Sequence, residues 1–148
     1  MKEIYYVYNN EAIASCIFLS ILNNIDRLDI ARSCLVLPFL LDDRTVSYLS
    51  KNQDMELEDM IKEQSRLFTS FNKRYLSLLP VTINSLTILN TSNQISIGNE
   101  IIATTQLYSK DENLGERFTK IEGVIPEFLS MIENYSTIQL YKILKVQL

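Results

Sequence analysis

The sequence predicts a mainly α domain with a small β-hairpin, an α+β chain, and three observations carry this. Apolar residues recur at helical spacing over most of the 148 positions. Glycine occurs only three times, which argues for helices and short loops. Alternation confined to Gln94–Gln106 supplies one hairpin. The expected organisation is a single domain over residues 1–148, with a helical N-terminal part (1–52). A winged-helix-like helix-helix-hairpin unit and C-terminal helices complete it (53–148).

In chain order, Ile4-Tyr5-Tyr6-Val7-Tyr8 is rich in β-formers and predicts a short strand or extended lead-in. Asn9 or Asn10 can cap a first helix, with Glu11 in its first turn. That helix is apolar nearly all round to Leu22, which places it at the centre of the packing. Asn23–Leu28 reads as a connection. The run from Cys34 to Leu41 is divided by Pro38, which lacks the donor a helix interior needs. We expect a buried segment to Leu37 and a helical turn from Pro38, with a buried strand over Cys34–Leu37 as the alternative. Asp42 or Asp43 then caps a short helix with Val46 and Leu49 inward.

From Leu57 the three-and-four spacing through Met60, Ile61, Leu67, Phe68 and Phe71 predicts one helix over 57–73. Pro80 suits a helix start, giving a second helix over 80–91 with Ile83, Leu86 and Leu89 inward. Gln94–Leu107 then forms the hairpin, turning on Gly98-Asn99 as a two-residue Gly-X turn. Asn113 and Glu116 have capping-box spacing, and Phe118, Ile121, Ile125, Phe128, Leu129 and Ile132 trace a helical face with a kink near Glu122, ahead of Pro126. Ser136 with Gln139 is a second capping box, opening a last helix through Ile138, Tyr141 and Leu144. The apolar C-terminus should be docked.

Composition narrows the function classes. Without histidine the chain lacks the usual acid/base residue and the commonest metal ligand. Glycine clusters for phosphate loops are missing, and no lysine follows an acid by two positions as a restriction-type nuclease requires. Cys16 and Cys34 lie in apolar runs and read as packing residues of a reducing, cytoplasmic setting. Ala12–Leu22 is too short for a membrane span.

The net charge of −4 is concentrated between Asp42 and Glu63, where Asp42, Asp43, Asp54, Glu56, Glu58, Asp59 and Glu63 face only Arg44, Lys51 and Lys62. Candidate partner-binding residues are therefore Asp42, Asp43, Arg44, Glu56, Glu58 and Asp59. The simpler reading is helix caps and solvated charge, and a hard cation on these carboxylates is the less economical one. Between Tyr75 and Ser109 there is neither lysine nor arginine, so the winged-helix-like unit lacks the phosphate contacts of a DNA binder and suits protein contact or a purely structural role.

Asn9–Ala12 opening an apolar helix, Leu35-Val36-Leu37-Pro38-Phe39-Leu40-Leu41 with Arg44-Thr45, Arg74-Tyr75 with Leu79-Pro80, Asn84-Ser85-Leu86, Gln94-Ile95, and Gly115, Arg117 and Lys120-Ile121 follow one another in order. Together they resemble the middle component of bacterial three-component ABC-ATPase conflict systems, the group that includes Lamassu anti-phage defence. The resemblance implies a non-catalytic subunit without cofactor or metal. Its implied partners are an SMC-like ABC ATPase, related to chromosome-maintenance and break-repair proteins, and an effector, often a nuclease. It would reach DNA only indirectly, through the complex, and no membrane. The implied role is to bridge those two and hold the effector inactive until foreign DNA is met.

Overall fold

A computed structural model describes residues 2–104 and 115–147, with side chains from residue 10 onward. Its longest helix is the first, α1 (Lys2–Asn24). The expected strand at the N-terminus is therefore corrected to helix, and Asn9 and Asn10 lie inside it rather than capping it. Local β-propensity loses here because extending an existing helix costs far less than starting one. As expected, Ala14, Ile17, Phe18 and Ile21 are wholly buried, against α7 and α8.

The connection after α1 holds a strand that periodicity over three residues cannot announce, β1 (Arg27–Asp29). Two short helices follow, α2 (Ile30–Ser33) and α3 (Val36–Leu40). Helix α3 begins two residues before Pro38, and no strand forms over Cys34–Leu37. Pro38 is tolerated because first-turn N–H groups have no intrahelical acceptor in any case. All five residues of α3 are buried. Phe39 centres an aromatic cluster, its ring centroid 5.0 Å from Phe71, 5.1 Å from Phe128 and 5.9 Å from Phe68. Helix α4 (Asp43–Lys51) starts as expected from Asp42, whose side chain accepts from the Arg44 N–H, and buries Val46 and Leu49.

The single helix expected over 57–73 is instead α5 (Leu57–Glu63), α6 (Ser65–Thr69) and the start of α7 (Phe71–Thr91), broken at Gln64 and Ser70. The inward stripe survives, since Leu57, Met60, Leu67 and Phe71 remain buried. Helix α7 also runs straight through Pro80, merging the expected second helix with the end of the first. Pro80 and Leu76 lie on the exposed side, where water can take the carbonyl that proline leaves without a donor. Ile83 is correspondingly 55% exposed, and Thr82 and Ser85 turn inward with Leu86 and Leu89.

The hairpin β2 (Ile95–Ile97) and β3 (Glu100–Ala103) forms, and β1 pairs antiparallel with β3 to give strand order β1-β3-β2. The two-residue turn does not form. Ile97 stands opposite Ile101, leaving Gly98, Asn99 and Glu100 between them, and Gly98 lacks the positive φ that a Gly-X turn needs. Glu100 is held instead by β1, opposite Asp29 and 3.6 Å from Arg27. Residues 105–107 of the expected hairpin lie outside the described residues.

Helix α8 (Glu116–Glu133) runs as one helix through Gly123 and Pro126, burying Phe118, Ile121, Ile125, Phe128 and Ile132 as expected. The Asn113 half of its expected capping box lies outside the described residues. The second capping box is present in full, opening α9 (Thr137–Ile143), although Ile138 points outward. After α9 the Lys145 N–H bonds the Lys142 carbonyl and the Val146 N–H that of Tyr141, a Schellman stop with Lys145 at φ +56°. The tail is docked, Gln147 N–H donating to Asn72 Oδ1 at 2.9 Å.

Candidate functional site

Asp42, Asp43 and Arg44 lie where α3 hands over to α4, and the structure gives them different tasks. Asp42 is nearly closed to solvent, its side chain 7% exposed, between Arg44 and Arg74. The Arg74 Nη1 is 3.4 Å from its carboxylate. Arg74 also donates to the carbonyls of Pro38 and Leu67 and to Ser70 Oγ, at 2.7–3.1 Å, and its guanidinium stands over the Phe71 ring. One side chain thus ties α3, α4, α6 and α7 together. The breaks at Gln64 and Ser70 are compatible with this, because Arg74 takes up the Leu67 carbonyl that an uninterrupted helix would have bonded internally.

Burial pushes the Asp42 carboxyl up, but the Arg44 hydrogen bonds and the Arg74 and Arg44 charges outweigh it and hold it below the usual carboxylate value. Asp43 is exposed and accepts from Arg117 Nε at 3.1 Å, while Arg117 Nη2 donates to the Leu41 carbonyl. This fastens α4 to the start of α8. Glu56, Glu58 and Asp59 gather at the N-terminal end of α5, where negative charge is favourable. Tyr135, just beyond α8, has its hydroxyl pushed up by burial and then by Glu58, Glu56 and Asp59. The two acidic groups therefore lie toward opposite ends of α8, which spans about 27 Å at ~1.5 Å per residue. The structure does not bring the six candidate residues to one place.

Two grooves flank these elements. One, of about 910 Å³, runs between α4 and α8 with Val46, Leu49, Ile121 and Val124 as its floor and Asp43, Arg117, Lys120 and Glu127 on its rim. The other, of about 800 Å³ and mostly apolar, lies between α2, α7 and α9. Beside it Arg32 donates to the Ile132 and Tyr135 carbonyls and to Thr137 Oγ1, covering the end of α8. Sequence reasoning passed over Arg32. No local pattern marks it, because its partners lie 100–105 residues further along the chain.

Among the described residues, no group of three or more Cys, Asp and Glu could hold a metal ion. None of their helices is long and apolar enough to cross a membrane. Cys16 and Cys34 are half-buried, with the Cys34 thiol pushed up chiefly by burial.

These features define a small helical protein whose half-buried arginines clamp helix ends and whose grooves lie between helices. The chain matches the family described as ABC-three component (ABC-3C) system Middle Component 3 across residues 1–148, and it belongs to that family. It is thus a middle component of a defence-type, multi-component system and works with the system's other subunits. No curated protein and no solved structure matches the chain.

Proposed function

We propose that this middle component is a non-catalytic, cytoplasmic bridging subunit that links an SMC-like ABC ATPase to an effector nuclease in a Lamassu-like antiviral complex. Membership of the family over residues 1–148 is the observation that carries the reading. Its surface agrees with it. Leu76 and Ile83, 52% and 55% exposed, share one face of α7, and Ile138 stands out from α9; such side chains are suited to contact with other subunits. Co-expression with the ATPase and effector encoded by neighbouring genes should yield one co-purifying complex. A chain that binds neither would sink the proposal.

The strand order β1-β3-β2 behind α7 favours a winged-helix-like reading of this unit, and with it a second function, direct DNA binding. The stretch Tyr75–Thr104 holds no lysine or arginine, so the wing is better suited to protein than to phosphate. A low-salt titration with duplex DNA should register no affinity for the isolated chain; tight, salt-sensitive binding would restore the DNA-reading alternative.

A further inference from the structure

We propose that the apolar groove between α2, α7 and α9 receives an acidic amphipathic segment of another subunit, apolar side chains seated on the groove and carboxylates on Lys142 and Lys145. This rests on the subunit reading above and adds the place and chemistry of one contact. The floor holds Tyr75, Tyr141 and Val146. Its polar tips are satisfied from within: the Tyr141 hydroxyl donates to the Ala31 carbonyl at 2.6 Å and lies 3.4 Å from the Tyr75 hydroxyl. What remains for a partner is apolar, and Ile138, 70% exposed on the rim, extends that surface outward.

Charge chooses the occupant. Among the described residues Lys142 and Lys145 are the charged side chains lining the groove and neither makes an ion pair, while Asp29, which accepts from Thr137, does not line it. A positive rim on a chain of net charge −4 selects a segment bearing carboxylates. A second copy docked about a two-fold axis would bring its own two lysines to the same place, which disfavours self-association. Lys145 adds an independent indication. It occupies the left-handed position of the Schellman stop, φ +56°, where glycine is the least strained residue. A lysine there gives up backbone comfort and holds an ammonium at the rim.

The test uses the full chain with the ATPase and effector subunits encoded beside it. Ile138→Asp should weaken association about tenfold or more, as loss of an apolar anchor does. Lys145→Gly should weaken it about two- to fivefold, the size of an exposed charge contact, while the melting temperature stays level or rises. Such a variant cannot owe its weaker binding to misfolding. If the wild-type chain binds and both variants bind equally well, the groove is not the docking place and the bridging reading stands. If the wild-type chain binds nothing, both fall. A chain that dimerises alone, with the dimer dissolved by Ile138→Asp, would overturn the proposed occupant in favour of a second copy.

Discussion

Thr45 carries a fully buried hydroxyl with no hydrogen-bond partner among the described residues, as does Thr82. A buried hydroxyl without a partner loses its water and gains nothing in return, so Thr45→Val, similar in shape, should stabilise the fold by about 1 kcal/mol in urea denaturation. Arg74 is the opposite case. Arg74→Ala removes hydrogen bonds to Pro38, Leu67 and Ser70 and leaves Asp42 with Arg44 as its remaining cation, so a loss of about 2 kcal/mol or more is expected. The lowered pKa of Asp42 gives a signed pH dependence. Its contribution is present above the ordinary carboxylate pKa and lost as pH falls through the lower folded value. The stability gap between wild type and Asp42→Asn should therefore be wide at neutral pH and narrow at strongly acid pH. Asp42 as a helix cap was legible from its position before Val46 and Leu49. Its bond to Arg74 was not, because no local pattern connects residues so far apart in the chain.

The helix ends divide into those set locally and those set from a distance. The capping box at Ser136 and Gln139 was readable because all its atoms lie within one turn. Ser136→Ala should destabilise the chain by about 1 kcal/mol, whereas Ile138→Ser, on the same helix but exposed, should change stability by less than about 0.5 kcal/mol. Thermal melts of the two side by side separate cap from surface. The breaks at Gln64 and Ser70 and the continuity through Pro80 were not readable. Periodicity reports which face is buried, and that face was right over Leu57, Met60, Leu67 and Phe71. It does not report where the backbone hydrogen bonds are interrupted while the face is preserved. Strand β1 escaped because three residues are too few for alternation to register, and the Gly98 turn because Glu100 was already engaged with β1.

Across the whole molecule the acidic region resolves into an internal clamp and an exposed end. Asp43 and the Glu56, Glu58, Asp59 group are the candidate acids whose reversal leaves the Asp42–Arg74 pair intact. Glu58→Lys with Asp59→Lys should keep the melting temperature within a few degrees, and loss of complex formation in that variant would mark α5 as a docking element. Unchanged association would leave those acids as favourable charge at a helix end. The mainly helical class and the family were legible from apolar spacing and motif order. The separation of the two acidic groups along α8 was not, because charge density in a sequence carries no distance.

The pairing of β1 with β3 also fixes a timetable. Arg27 waits for Ile102, and at ~5–20 residues per second a ribosome takes roughly 4 to 15 s to deliver it. Until then Leu28 has no strand beside it, and Ile17, Phe18 and Ile21 of α1 await α7. The nascent N-terminal half is thus an apolar, unfinished surface for seconds after its emergence, a natural client for chaperones. Ribosomes stalled before Phe71 should carry a chain that proteases cut readily, and those stalled well past Ala103 a resistant one.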